Sequence, residues 1–169
     1  ADMIMGETAE LLAQERSISR EQQDAFALAS QEKAAAALDA DRFACELVPV
    51  CVPGRKGDTV VEADEHPRPG SSLEKLGKLA PVFDRENGTV SAGNSSGITD
   101  GAAALVLMTA AEAERRGIQP LAVLLDCQAA GTDPKRMGLG PVPATQQMLE
   151  RHRWQLDDFG LFELNEAFA

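Results

Sequence analysis

Apolar residues recur at helical spacing in the N-terminal part of the chain, where the pattern predicts two helices. The first covers residues 5–16, and the second covers 20–39 and begins with a capping box at Ser19. The charged residues of the second helix, including Arg20 and Asp24, fit a solvated face better than a binding surface. We therefore expect both helices to pack through their apolar sides.

Residues 46–87 lose the helical period and are rich in turn-forming residues. Residues 46–53 and 59–63 flank the turn sequence GRKGD, which predicts a β-hairpin. Ser72 is placed to cap a short helix over 73–79. No alternation of strands and helices appears in this region, so we place a domain boundary near residue 87.

A glycine-rich bend in the middle of the chain has the strongest local pattern. Residues 88–108 read GTVSAGNSSGITDGAAALVLM, in which 89–91 predict a short strand and GNSSG breaks it. Thr99 and Asp100 are good N-cap residues for a following helix, and the apolar run 105–108 should be buried. Such a bend points backbone N–H groups outward, where a ligand can contact them.

The remainder of the chain alternates strand-like and helix-like stretches, which favours an α/β fold. A second capping box at Thr109 begins a helix that stops at Gly117. Strands are predicted over 121–130 and 159–164, with a helix over 144–153 between them. The chain lacks an initiator methionine and ends in NEAFA, where a helix should begin. We therefore expect an internal segment of a longer protein.

The composition narrows the classes of function. Hydrophobic residues make up 44% and charged residues 25%, and no apolar run is long enough to span a bilayer. A net charge of −11 argues against nucleic-acid binding, and any anionic ligand would need a local basic cluster. The three cysteines lack metal-site or CxxC spacing, so we expect no metal site and free thiols in the cytoplasm.

One hypothesis is a serine hydrolase. The bend satisfies the G-x-S-x-G pattern of a nucleophile elbow with Ser95 as its serine, and Asp133 and His152 follow in the order of a triad. However, His152 lies in the charged sequence ERHR, where a solvated histidine is more common, and the chain has no HGGG-like oxyanion loop. The hypothesis therefore depends on the elbow pattern alone.

A second hypothesis is a segment that binds or assembles without chemistry. The chain has only two histidines, and none of its cysteines lies in an evident basic setting at a helix N-terminus that would activate a thiol. Few candidate nucleophiles are therefore available. On these residues alone, a non-catalytic binding or assembly segment stays open.

Six stretches taken together resemble the thiolase family. They are MGETAE, SREQQDAFALASQEKA, GRKGD, GTVSAGNSSGITDGAAA, DPKRMGLGPVPA and ELNEAFA, which occur in thiolase order over essentially the whole chain. The resemblance implies an α/β fold, the layered αβαβα thiolase-like fold, here incomplete and with an inserted, mainly helical loop domain. Residues 1–87 would be the CoA-binding loop domain, 88–118 the end of the N-terminal domain and 119–169 the start of the C-terminal domain.

The resemblance also implies an acyltransferase. Thiolases reversibly form and cleave carbon–carbon bonds between acyl-CoA thioesters, through an acyl-cysteine. The expected partners are acyl-CoA and CoA, with the thioester as substrate and no separate cofactor, and the complete protein should be a homodimer or homotetramer. The nucleophilic cysteine, the GHPxGxSG histidine and the second cysteine of the family are expected outside this chain. The segment alone should therefore be inactive.

Within the chain, the resemblance implies one catalytic residue and a set of ligand contacts. Asn165 resembles the asparagine that holds a water in an oxyanion hole, although without the resemblance a helix N-cap is the simpler interpretation. Ile4 stands where related acetoacetyl-CoA enzymes often have histidine, which leaves the acyl preference open. Residues that resemble contacts to the adenine, the pantetheine arm or the acyl channel are Met5, Arg68, Phe83, Ala92, Ser96, Gly97 and Met137.

Overall fold

The computed structural model describes residues 2–169, which form helices and one small sheet. The α-helices are α1 (Met5–Arg16), α2 (Arg20–Asp39), α3 (Leu73–Gly77), α4 (Ala110–Arg116) and α5 (Pro141–His152). Two 3-10 helices cover Pro134–Leu139 and Leu156–Asp158, and the strands are β1 (Val50–Val52) and β2 (Thr59–Val61). These residues divide into a first unit, which runs up to Gly97 and includes Leu164–Ala169, and a second unit, Ile98–Glu163.

The elements of the first unit follow the local sequence signals. The bounds of α1 and α2 confirm the predicted helices, and Ser19 accepts a hydrogen bond from the Gln22 N–H as the capping box requires. The predicted hairpin is also confirmed, because β1 and β2 pair antiparallel with Cys51 opposite Val60. Ser72 caps α3 as expected, although this helix ends at Gly77 rather than at residue 79.

The core of the first unit lies around the residues that precede the bend. Val90 and Ser91 are fully buried, and Val90 accepts a hydrogen bond from the Val82 N–H through its carbonyl oxygen. Instead of the predicted strand over 89–91, this region forms only an isolated antiparallel bridge between Pro81 and Ser91. Hydrogen bonds to the side chains of Glu10 and Asn94 hold these residues in place, instead of the backbone hydrogen bonds of a β-ladder.

The helix and the buried run predicted after the bend are not observed. No helix begins at Thr99 or Asp100, and the residues from 98 to 109 carry no regular secondary structure. Leu105 to Met108 are 38% to 87% exposed, so the prediction that they are buried is wrong for this chain. A short helix depends on packing of its apolar face, and no such packing forms there among the described residues.

The strands predicted over 121–130 and 159–164 are likewise not formed. A strand needs a neighbour to accept its backbone hydrogen bonds, and neither stretch pairs with another one in the part of the chain that the structure describes. The helix predicted to begin at Asn165 is also absent. The backbone of the residues after Asn165 bonds to the bend instead.

The helices of the second unit are closer to the prediction. Thr109 caps α4, and Gly117 ends it with a φ of 65°, a left-handed conformation that glycine adopts without cost. Helix α5 starts at Pro141, three residues earlier than predicted, because proline is well tolerated in a first helical turn. None of the described helices is long and apolar enough to cross a membrane.

Candidate functional site

The glycine-rich bend is held in shape by the side chain of Asn94. The Asn94 carboxamide oxygen accepts a hydrogen bond from the Ser91 N–H at 2.7 Å, and its nitrogen donates to the carbonyl oxygen of Thr89 at 3.0 Å. Asn94 is buried, whereas Ser96 and Gly97, which follow it, are exposed. The bend therefore has a rigid inner side and presents Ser96 outward.

The bend is paired with the segment that carries Asn165. The Ser96 N–H donates to the carbonyl oxygen of Ala167 at 3.0 Å, and the Ala169 N–H donates to the carbonyl oxygen of Asn94 at 3.0 Å. This antiparallel pairing brings the region of Ser96, predicted to contact the pantetheine arm, together with Asn165, predicted to be catalytic, although the two are far apart in sequence. The roles of both residues stay predictions.

Asn165 itself is exposed, in a stretch without regular secondary structure. The next residue, Glu166, accepts a hydrogen bond from the Ser30 hydroxyl of α2 at 2.5 Å, which attaches this segment to a rigid helix. The Asn165 carboxamide has no hydrogen-bond partner among the described residues, so it is available to a ligand.

Arg68 lies in an irregular loop that the same helix anchors. Its backbone N–H donates to the side-chain oxygen of Gln31 at 2.8 Å, and its carbonyl oxygen accepts from the Ser71 hydroxyl at 2.8 Å. The backbone of Arg68 is therefore fixed while the residue is exposed to solvent. The guanidinium makes no hydrogen bond or ion pair with the other described residues.

His66 packs against the bend, and sequence reasoning missed this residue. A Cβ atom added to Gly97 would lie 2.0 Å from Cε1 of the His66 ring, so the imidazole occupies the space that any side chain at Gly97 would need. A side chain at Gly97 would therefore have to displace the exposed His66 ring. Nothing in the local sequence pattern of EHPR indicated the contact.

The other predicted contact residues of the first unit lie at different depths. Phe83 is half-buried and packs so tightly on Gly6 that a Cβ atom there would lie 1.9 Å from the ring. The residue before Gly6, Met5, is 51% exposed at the start of α1, and Ala92 is exposed just before the bend. Phe83 thus lies beside the N-terminal turn that carries Met5.

Met137 belongs to the second unit, where it lies in the 3-10 helix Pro134–Leu139. Its side chain is 42% exposed and is not part of a core. Its predicted role as a lining residue of the acyl or pantetheine channel stays a prediction.

A buried polar network supports the bend and was not expected from the sequence. Glu10 of α1 is 5% exposed and accepts hydrogen bonds from the backbone N–H groups of Thr89 and Val90 at 2.8 to 2.9 Å. Asp24 of α2 is 3% exposed and pairs with Arg20 at 2.8 Å. The interpretation of Arg20 and Asp24 as part of a solvated face is therefore wrong.

The residues of the hydrolase hypothesis do not form a triad. The Ser95 hydroxyl donates to the carbonyl oxygen of Ser91 at 2.8 Å, which occupies the proton that a general base would have to remove. His152 pairs with Asp126 rather than with Asp133, whose carboxylate instead accepts from the Lys135 N–H. No helix follows the bend, so the strand–turn–helix context of an elbow is absent as well.

The pairing of His152 changes the ionisation of one carboxyl group in the second unit. The hydrogen bond from His152 lowers the pKa of Asp126 to about 2, with further contributions from the backbone N–H of Cys127 and from Arg151. The His152 ring also stacks on Trp154 with ring centroids 4.0 Å apart. This cluster lies at the C-terminal end of α5, where Arg151 also forms an ion pair with Asp126 at 2.9 Å.

The described residues contain no group of three or more histidine, cysteine or acidic side chains that could hold a metal ion. The thiols of Cys45, Cys51 and Cys127 are free and exposed.

Comparison with known proteins identifies the fold that this arrangement belongs to. The family model of the thiolase N-terminal domain matches residues 1–111, and that of the thiolase C-terminal domain matches 118–169. The chain is 55% identical over 165 residues to an acetyl-CoA acetyltransferase of Shinella zoogloeoides, covering 98% of this chain and 42% of that protein. It is 54% identical over 165 residues to the beta-ketothiolase BktB of Cupriavidus necator, covering 98% and 42%.

Solved structures agree with the sequence relatives. The crystal structure of the Bacillus anthracis acetyl-CoA acetyltransferase superposes with a TM-score of 0.90 at 45% identity, over 98% of this chain and 42% of that one. The crystal structure of human mitochondrial 3-ketoacyl-CoA thiolase gives 0.87 at 44% identity, over 97% and 41%. The chain thus spans less than half the length of these relatives, and its incomplete α/β fold is the expected thiolase-like one. The chain belongs to the thiolase family.

Proposed function

We propose that this chain is the part of a thiolase that binds the CoA thioester and contributes one residue to an oxyanion hole. The complete enzyme would transfer acyl groups between CoA thioesters, with reversible formation and cleavage of a carbon–carbon bond. The observation that carries the proposal is the pairing of the bend with the segment after Asn165, through the Ser96 N–H and the Ala167 carbonyl oxygen.

The pairing supports separate roles for two neighbouring segments: the bend binds the pantetheine arm, and the Asn165 segment stabilises charge on the thioester. Ser96, exposed beside a rigid bend, is suited to hydrogen-bond the amide groups of a pantetheine arm, with Ala92 and Gly97 along its path. The unpartnered carboxamide of Asn165 is suited to hold a water that donates to a thioester oxygen as this oxygen gains negative charge. Binding and stabilisation of charge then act on one substrate.

The residues proposed for the remaining contacts suit a CoA ester. The free guanidinium of Arg68 on its anchored loop can stack on an adenine face, and Phe83 can lie against the pantetheine. Met5 of the first unit is an exposed apolar side chain suited to contact an acyl chain or a pantetheine arm. The exposed Met137 of the second unit is suited to the same kind of contact. With a net charge of −11, the chain repels the phosphates of CoA, so the local positive charge of Arg68 matters for their approach.

The partners of the complete enzyme would be acyl-CoA and CoA, with the thioester as substrate and no separate cofactor. The cysteine that forms the acyl-enzyme would come from outside this chain. By the family resemblance the complete enzyme would be a homodimer or homotetramer in the cytoplasm. The chain by itself would bind without catalysing.

A segment exchange tests the proposal. In the Shinella zoogloeoides enzyme, the segment aligned with this chain is replaced by this chain, and the resulting chimera is assayed for thiolysis of acetoacetyl-CoA. We expect the chimera to be active and this chain alone to show no turnover above the rate without enzyme. A folded chimera without thiolysis, or turnover by the chain alone, would contradict the proposal.

A further inference from the structure

We infer that Asp24 is a positioning residue of the thioester site, and that its hydrogen bond to Asn94 sets the bend and the Asn165 segment in register. The inference rests on the proposed function, because it concerns how that site is held together. The residues that this inference adds to the site belong to α2. They lie outside the bend and outside the sequence NEAF, and they are not proposed to contact the substrate.

The Asp24 carboxylate is buried and uses both of its oxygens. Oδ1 accepts from the Asn94 carboxamide nitrogen at 3.0 Å, and Oδ2 accepts from Nε of Arg20 at 2.8 Å. Burying a carboxylate is costly unless it is paired and hydrogen-bonded, and here both conditions are met. The direction of the Asn94 side chain is therefore fixed by a charged acceptor on a long helix.

Asn94 passes this constraint to both halves of the site. Its side chain shapes the bend by bonding to Ser91 and Thr89, and its carbonyl oxygen accepts from the Ala169 N–H at 3.0 Å. Two residues further along, Ser96 bonds to Ala167 in the same pairing. Asn94 therefore holds the bend through its side chain and the C-terminal segment through its backbone carbonyl.

Arg20 connects the same pair to α3. Its guanidinium donates to the carbonyl oxygens of Leu76 and Leu79 at 2.7 and 2.9 Å. The side chains of these two leucines pack on Gly93, where a Cβ atom would lie 2.5 to 2.6 Å from them. Hydrogen bonds of Asp24 and Asn94 thus hold the bend. The packing of the two leucines, whose carbonyl oxygens Arg20 binds, holds it as well.

A double-mutant cycle in the chimera tests the inference. Asn94→Asp places a carboxylate against that of Asp24, and we expect KM for acetoacetyl-CoA to rise and kcat to fall, each by about tenfold. Adding Asp24→Asn removes the like charge and restores a donor, so the double variant should recover several-fold in both constants. If Asp24→Asn improves the activity of the Asn94→Asp variant, the two side chains interact directly.

Melting curves and a matched control separate positioning from loss of stability. Ser19→Ala removes the N-cap of α2 without touching the network, so it should lower the melting temperature and leave KM and kcat unchanged. All constants are measured below the melting temperature of the least stable variant. If Asn94→Asp does not fold, Asp24→Asn alone must still raise KM more than Ser19→Ala does.

The outcomes separate the two proposals. Wild-type KM and kcat in folded Asp24→Asn and Asn94→Asp chimeras would overturn the positioning role and leave the proposed function intact. Additive effects without recovery in the double variant would also overturn it. An inactive chimera with the unaltered segment would instead overturn the proposed function.

Discussion

The residues that precede the bend and the apolar stretches of the second unit lie in very different surroundings. Val90 and Ser91 are fully buried, and Glu10 accepts a hydrogen bond from the Val90 N–H. Gln23 donates to the Thr89 hydroxyl, and Asp24 accepts from the Asn94 carboxamide nitrogen. In contrast, Leu121 to Leu125 and Leu105 to Met108 are largely exposed and have no strand pairing. The first region finds its partners within the chain, whereas the second does not find them in the part of the chain that the structure describes.

The difference shows what each kind of segment requires. Polar side chains on two helices can satisfy a few backbone groups of an irregular segment, so the bend needs no sheet. A buried strand of an α/β fold needs neighbours on both edges and helices on its faces. The relatives are more than twice as long as this chain, so the exposed apolar stretches fit strands of a fold that the chain only partly contains.

The largest expected effect concerns the catalytic half of the site. Asn165→Ala in the chimera should lower kcat by about 10- to 1000-fold, because one element that stabilises charge on the thioester oxygen is lost. CoA affinity should hardly change, since Asn165 is not proposed to contact the adenine or pantetheine. Steady-state kinetics and CoA titration calorimetry measure both. A large loss of CoA affinity at unchanged kcat would remove Asn165 from the oxyanion hole.

The next effect concerns the stability of the bend region. Glu10→Ala leaves the N–H groups of Thr89 and Val90 buried without an acceptor, which should cost about 3 kcal/mol in the free energy of unfolding. Urea denaturation of this chain, followed by circular dichroism, measures it. Glu114→Ala, at an exposed position of α4, is the matched control and should change the free energy by less than about 0.5 kcal/mol. If both variants lowered the free energy of unfolding equally, the hydrogen bonds of Glu10 would not distinguish the bend region from the second unit.

A smaller effect is expected at the outer end of the proposed ligand path. Arg68→Ala in the chimera should raise KM for acetoacetyl-CoA by about tenfold at nearly constant kcat, because binding is lost equally in the ground state and the transition state. Arg85→Ala, another exposed arginine of the first unit, serves as the control for the change in net charge. A fall in kcat at unchanged KM would place Arg68 near the reacting carbonyl instead.

The smallest effect is expected in the second unit and depends on pH. The folded-state pKa of Asp126 is about 2, below its ordinary value of 3.8. The pair with His152 therefore stabilises the fold above about pH 4, and this contribution is lost as the pH falls toward 2. The fluorescence of Trp154, the single tryptophan, should change as the pH falls through this range. The His152→Ala variant should show a smaller change in fluorescence with pH. His66→Ala, in the first unit, should leave the curve unchanged.

The sequence predicted the elements that depend on local signals. Helices α1 and α2, the cap at Thr109 and the stop at Gly117 follow from spacing, capping residues and glycine within a few positions. The strands expected over 121–130 and 159–164 were not found, because strand formation depends on pairing with distant residues. The family and its fold were predicted by the resemblance of six ordered stretches and are confirmed by the comparisons.

The supporting residues of the site could not be predicted in the same way. Asp24 and Asn94 are 70 positions apart, and Glu10 and Thr89 are 79 apart, so no local pattern connects them. A charged residue on an amphipathic helix looks solvated until its distant partner is known. The contact of His66 with Gly97 was hidden for the same reason, since it depends on the path of a proline-containing loop.

Hydrogen–deuterium exchange of the chimera with and without CoA shows whether one ligand protects the bend and the Asn165 segment together. If the bend and the Asn165 segment form one thioester site, CoA should slow exchange in peptides covering both 92–97 and 164–169, and in the loop around Arg68. Peptides covering α4 should not change. Protection of the bend without the 164–169 segment, or protection only outside both, would contradict a site built from their pairing.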